Sequence, residues 1–143
     1  MGSGGGFPGM VIAIVKPEDC SVHLVEADGK KVAFLREVSR ETGVSVEIYK
    51  GRIECVLPAL CETLHVDVIS ARALAPMQKL IAYAEPALDR GATGLFLKGK
   101  GVANELTQIP ARSRLHIKTE QSRTDRDGKI VIARKYDREP NFI

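Results

Sequence analysis

The sequence has no tryptophan, its aromatic content is only 5%, and it holds three cysteines. Cys20, Cys55 and Cys61 are odd in number and show no C-x-x-C spacing. Neither a disulfide framework nor a zinc site is supported, and a reducing cytoplasm is the expected compartment. No apolar run approaches the ~20 residues that cross a bilayer, so no membrane association is expected. The opening segment, 1–7, lacks the basic and apolar regions of a secretory signal. His23, His65 and His116 have no partners at metal-ligand spacing. They read as packed or surface side chains, and no metal is expected. What remains is a chain of 143 residues, 44% hydrophobic and 27% charged. That is ordinary for one globular domain with a sizeable core, and it excludes a disordered tail, a collagen-like rod and a coiled coil. The whole of 1–143 is read as a single domain.

Charge is spread unevenly. Met1 to Asp89 carries 9 Lys/Arg against 12 Asp/Glu, whereas Arg90 to Ile143 carries 12 against 6. The basic C-terminal part suggests an acidic partner, nucleic acid first among the candidates. Its competitor is a basic surface that merely solvates the fold.

Apolar periodicity gives an alternation of strands and helices. Ser21–Glu26 reads as a strand. Asp28 then caps a helix running to about Thr42, where Gly43 ends it. Val44–Tyr49 is a second strand, and Ile53–Leu64 is weakly helical with Pro58 interrupting it. Val66–Ser70 is a third strand. Pro76 opens a helix to about Leu88, and Thr93–Lys98 is a fourth strand. Val102–Leu106 forms a helical turn. Leu115–Glu120 and Lys129–Lys135 are strands, with Asp127-Gly128 between them as a hairpin signal. The expected class is α/β: a mostly parallel sheet covered on both faces, closed by an antiparallel C-terminal hairpin.

Gly2-Ser3-Gly4-Gly5-Gly6-Phe7-Pro8-Gly9 is the most informative stretch. Glycines allow positive φ and let a ligand approach the backbone closely. The segment from Phe7 to Val15 reads as a short helix, so the glycine turn feeds a helix N-terminus, a common cradle for the polar end of a nucleotide-like ligand. Glu26 lies 22 positions after Gly4, at the end of the next strand, where an acid holds ribose hydroxyls in such folds. The full G-x-G-x-x-G pattern is not met, because Phe7 stands at the last glycine position, and no lysine follows as a P-loop requires. The competing reading is a flexible glycine-rich N-terminus. The competitor for Glu26 is a charge that complements a helix dipole. Lys30-Lys31 reads as the solvated start of a helix.

Five stretches occur in order: Gly-Ser-Gly-Gly-Gly-Phe-Pro-Gly at 2–9, Val-Glu-Ala-Asp-Gly-Lys-Lys-Val-Ala-Phe-Leu at 25–35, Gly-Arg-Ile-Glu at 51–54, Ile-Ser-Ala-Arg-Ala at 69–73 and Leu-Lys-Gly at 97–99. Together they resemble the ribosomal RNA small subunit methyltransferase G (GidB) family over essentially the whole chain. The resemblance implies a Rossmann-like methyltransferase dependent on S-adenosylmethionine (SAM). Its implied activity is methylation of guanine N7 in 16S rRNA of the small ribosomal subunit, by a monomer. Carried over by motif, Gly2, Gly4 and Phe7 lie along the methionine side of SAM, Glu26 holds the ribose, and Ile53 and Glu54 border the adenine. Arg72 faces cofactor and substrate as the candidate catalytic residue, and Arg52 and Lys98 approach the RNA. The family also carries N-terminal helices and a first, central strand ending in an acid before the glycine turn. No such strand precedes Gly2, so the expectation is a fold truncated at its N-terminus, with the first central strand missing between 21–26 and 66–70. A chain of that kind is expected to be marginally stable or unfolded alone.

Methyl transfer to guanine N7 needs no general base, because N7 presents a free lone pair. The absence of an obvious catalytic His or Cys therefore fits, and catalysis is expected to be mostly positioning. The alternative is a catalytically inactive remnant that at most binds RNA. A SAM enzyme acting on a small molecule is the third reading.

Overall fold

The computed structural model describes residues 1–136 of the chain. Residues 137–143, the end of the span read as one domain, lie outside the described residues. After the glycine turn comes helix α1, Gly9–Val15. It leads to strand β1, His23–Glu26, which is buried along most of its length. Helix α2, Gly29–Thr42, begins at Asp28, whose carboxylate accepts the backbone N–H groups of Lys30 and Lys31 at 2.8 and 3.0 Å. This satisfies two of the orphan donors at a helix start. Gly43 ends α2, and β2, Glu47–Lys50, pairs with β1 in parallel.

Helix α3, Ile53–Thr63, runs unbroken through Pro58, where the sequence predicts an interruption. Pro58 and Glu54, whose carbonyl loses its usual partner, are both exposed, so water can replace the missing bond. Strand β3, Val68–Arg72, leads through a short loop into helix α4, Met77–Leu88, with Pro76 as its N-cap. Strand β4, Thr93–Lys98, pairs with β3 in parallel. Helix α5, Val102–Thr107, follows. Strands β5, Leu115–Gln121, and β6, Lys129–Lys135, form the antiparallel hairpin, with β6 inserted between β4 and β5. Its turn is Ser122–Gly128, longer than the two-residue turn that Asp127-Gly128 suggests. Ser122 Oγ accepts the N–H groups of Thr124 and Asp125, and the Gln121 amide donates to three carbonyls across the turn. Those side chains make the wider loop self-satisfying.

The strands form two ladders, β1-β2 and β3-β4-β6-β5. Among the described residues no ladder joins β1 to β3. Met1 to Ser3 lies between them: the Met1 amino group donates to Ser70 O at 2.6 Å, and the Ser3 N–H to Val25 O at 3.1 Å. The main core gathers Leu57 of α3, Leu80 and Ala84 of α4, Phe96 of β4 and Val131 of β6, with Val25 of β1 bridging toward it. A smaller cluster of Met10, Leu24 and Leu35 lies between α1, β1 and α2. Phe96 is fully buried, and its ring occupies the place a Cβ at Gly94 would need, 2.6 Å away. Glycine at that point of β4 is a packing requirement.

Candidate functional site

The carboxyl ends of β1 and β3 and the glycine turn surround one cavity of about 450 Å³, within the range that small-molecule sites occupy. Gly2, Gly4, Phe7, Glu26, Arg52, Ile53, Glu54 and Arg72 all line it. Seven of them are the residues expected around SAM, and Arg52 is one of the two expected toward RNA. The second, Lys98, is placed elsewhere. It stands at the end of β4 with its side chain 11% exposed, paired with Glu105 at 2.7 Å and donating to Ala75 O at 3.0 Å.

Glu26 is the best-defined group of the site. It is 8% exposed at the end of β1. One carboxylate oxygen accepts the Gly4 N–H at 2.7 Å and the other accepts the Asp28 N–H at 2.9 Å. A carboxylate has about four acceptor positions, so each oxygen keeps capacity for a further donor from the cavity. The glycine turn therefore does more than face Glu26: it is tied to it. This contact excludes the reading of a floppy leader. Asp28 is doubly placed, bracing Glu26 through its backbone while its side chain caps α2. The capping N–H groups of Lys31 and Lys30 hold the Asp28 carboxyl below the usual range.

The turn is bare toward the cavity. Gly2 and Gly4 adopt φ of 58° and 53°, where side chains are strained. At Gly5 a Cβ would meet nothing within 4 Å, and at Gly4 only the Gly2 carbonyl at 3.9 Å. A ligand can thus lie directly on this backbone. Opposite stands the segment Arg72–Leu74, with Ala73 at φ 50°. Arg72 and Arg52 are exposed, at the end of β3 and the start of α3.

Sequence reasoning missed several lining residues. Lys31, read as a solvated helix start, lines the cavity from the first turn of α2. Ala73 and Leu74 also line it, and so does Tyr83 of α4. Ala73 carries no sequence signal for a left-handed backbone. Tyr83 enters because α4 passes behind β3, a tertiary fact. Among the described residues, no His or Cys lines the cavity, no cluster of His, Cys, Asp and Glu has the arrangement to hold a metal, and no helix is long and apolar enough to cross a membrane.

Residues 1–130 match the model of the GidB family, rRNA small subunit methyltransferase G. The chain belongs to that family. It is 44% identical over 138 residues to the ribosomal RNA small subunit methyltransferase G of Paramagnetospirillum magneticum, covering 96% of this chain and 64% of the relative. Against the protein of the same name from Methylobacterium radiotolerans it is 45% identical over 132 residues, covering 92% and 61%. The chain thus spans about three fifths of the length of these curated GidB relatives. Solved structures agree on the fold. Aeropyrum pernix fibrillarin, in complex with natively bound S-adenosyl-L-methionine, superposes with a TM-score of 0.68 at 14% identity, covering 93% of this chain and 64% of that one. A putative rRNA methylase from Clostridium thermocellum gives 0.65 at 12%, covering 95% and 84%. The fold is that of Rossmann-like SAM-dependent methyltransferases.

Proposed function

We propose that this GidB family chain binds SAM in the cavity at the ends of β1 and β3 and serves methyl transfer to N7 of a guanine in 16S rRNA. The observation that carries the reading is the Glu26 carboxylate, buried beside the cavity and braced by Gly4 and Asp28. Glu26 accepts the ribose hydroxyls with its free acceptor positions. The side-chain-free backbone of Gly2, Gly4 and Gly5 and the Phe7 ring border the methionine portion. Ile53, buried at the start of α3, and Glu54 beside it border the adenine. SAM supplies an electrophilic methyl group on a sulfonium.

The chain's own part is positioning. Guanine N7 offers its lone pair without losing a proton, so the lack of a His or Cys among the lining residues is no handicap. The methylated ring becomes cationic, and a guanidinium pressed against it would oppose reaction. Arg52, exposed at the mouth, is therefore assigned to RNA phosphates. Arg72 either pairs with the methionine carboxylate or orients the base. The basic balance after Asp89 favours RNA over a small-molecule substrate. The protein is expected to act as a monomer in the cytoplasm, on the small subunit or its RNA.

Two measurements test the reading. Isothermal titration of the chain with S-adenosylhomocysteine gives saturable one-site binding that Glu26→Ala abolishes. Transfer of labelled methyl from SAM then discriminates naked 16S rRNA from intact small subunits. Binding without transfer to either RNA substrate would leave the inactive, RNA-binding reading in possession.

A further inference from the structure

Lys98 stands two residues beyond Phe96, the last core position of β4, and so on the same face of the strand; its side chain folds inward rather than out to solvent. Its ammonium donates to Ala75 O at 3.0 Å and pairs with Glu105 Oε2 at 2.7 Å. The same Glu105 oxygen accepts the Met77 N–H at 2.7 Å. One side chain from β4 and one from α5 thereby grip both ends of the Ala75–Met77 segment.

That segment lacks means of its own. Pro76 is the N-cap of α4 and offers no side-chain acceptor, and the first turn of α4 holds no acid. Glu105 supplies the missing cap from 28 residues away. Just upstream, Ala73 sits at φ 50°, a backbone region that a Cβ disfavours, so the surroundings must hold it there. Leu74 follows and lies against Gly2, so close that a Cβ on Gly2 would stand 2.6 Å from Leu74 Cδ1. Arg72, Ala73 and Leu74 line the cavity. A chain of contacts thus runs from the Lys98–Glu105 pair, through Ala75 and Met77, to the wall that faces the glycine turn. Burial works against the Glu105 charge, but the Lys98 ammonium and the Met77 N–H outweigh it and hold its carboxyl below the usual range.

We propose that Lys98 and Glu105 are a positioning pair: they clip the Ala75–Met77 segment and so set the Arg72–Leu74 wall against the methionine end of the cofactor cavity. The proposal rests on the cofactor reading above. Neither residue touches the ligand. Their effect falls on one end of it only, which separates the role from a general contribution to folding.

The test uses the full 143-residue chain and four variants, Glu105→Ala, Glu105→Gln, Lys98→Met and Lys98→Arg. Calorimetric titration with S-adenosylhomocysteine and with adenosine is run beside hydrogen exchange of the backbone amides. Glu105→Ala and Lys98→Met should weaken S-adenosylhomocysteine about tenfold, the scale of one lost charge-assisted hydrogen bond. Adenosine, which contacts only the Glu26 and Ile53 side, should keep its wild-type affinity. Amides from Ala73 to Met77 should exchange faster, while those of β1 and α2 should not change. Lys98→Arg should restore most of the affinity. Glu105→Gln, which keeps an oxygen for the Met77 N–H but loses the charge, should fall between. Equal weakening of both ligands, or no weakening together with unchanged exchange at Ala73 to Met77, overturns the positioning role. If the wild-type chain binds neither ligand, the cofactor reading falls and this role falls with it; if it binds both and the variants keep the wild-type ratio, only the positioning role falls.

Discussion

Gly2 and Leu74, far apart in sequence, meet at the rim of the cavity, and Leu74 leaves no room for a side chain on Gly2. Gly5, two residues past Ser3, faces open space and has no positive φ. The two glycines therefore make different predictions. Gly2→Ala should destabilise the chain by roughly 1–2 kcal/mol, the cost of a left-handed backbone for a residue with a Cβ, and should also displace Leu74. Gly5→Ala should leave the melting temperature unchanged while lowering the affinity for S-adenosylhomocysteine, because its methyl group would project where the ligand lies. Thermal melting and calorimetry on both variants separate the effects.

Glu26→Gln tests the carboxylate itself. Both of its oxygens accept backbone N–H groups, from Gly4 and Asp28. An amide in the same place turns an N–H₂ toward one of those donors. A part-buried donor then loses its partner, at a cost toward the lower end of about 1–3 kcal/mol. Denaturant titration should register that loss, and S-adenosylhomocysteine binding should fall below detection. A variant as stable as the parent would show that the two N–H groups do not depend on the charge.

Much of this site was legible from one spacing. A glycine turn and an acid 22 residues later are local signals, and each is read from neighbouring residues alone. Strand β4 and strand β6 also fall where alternation and β-branched residues place them, since Val131 and Phe96 are core residues by any reading. What escaped depends on partners far away in the chain. Lys98 looks like a free cation at a strand end until α5 brings Glu105 to it. Pro58 looks like a helix breaker until its exposure is known. Asp127-Gly128 looks like a two-residue turn until Ser122 and Gln121 supply the bonds of a wider one.

Acid should loosen the start of α2. The Asp28 carboxyl is held below its usual value by the N–H groups of Lys31 and Lys30. A carboxyl with a depressed folded pKa contributes stability that is present above its unfolded value, about 3.9, and is lost as pH falls through the lower folded value. Asp28→Asn keeps the capping oxygen without the titration. Helicity followed from pH 5 downward should therefore decline for the wild-type chain and run flatter for Asp28→Asn. Parallel curves for the two would place the acid sensitivity elsewhere.

Arg52 bears on the RNA. It is exposed at the start of α3, on the rim of the cavity. If it neutralises one phosphate, Arg52→Ala should reduce the slope of log affinity against log salt by about 0.7–0.9. S-adenosylhomocysteine binding should hardly change. Filter-binding with 16S rRNA across a salt series supplies the slope, and an unaltered slope would remove Arg52 from the phosphate contacts.

The two ladders should not be equally stable. The β3-β4-β6-β5 sheet is packed by Phe96, Leu80, Leu88 and Val131, all essentially inaccessible to water. The β1-β2 pair rests chiefly on the small cluster of Met10, Leu24 and Leu35, with Val25 its link to the larger core. Fewer buried apolar groups mean a smaller opening free energy for that unit. Native-state hydrogen exchange should show the amides of Leu24 and Tyr49, which the parallel register places in the β1-β2 ladder, exchanging faster than those of Phe96 and Val131. Added S-adenosylhomocysteine should narrow the difference, because Glu26 at the end of β1 and Arg72 at the end of β3 border the same ligand. Uniform protection across both ladders in the free chain would mean that Val25 and the Ser3–Val25 bond already join them into one cooperative unit.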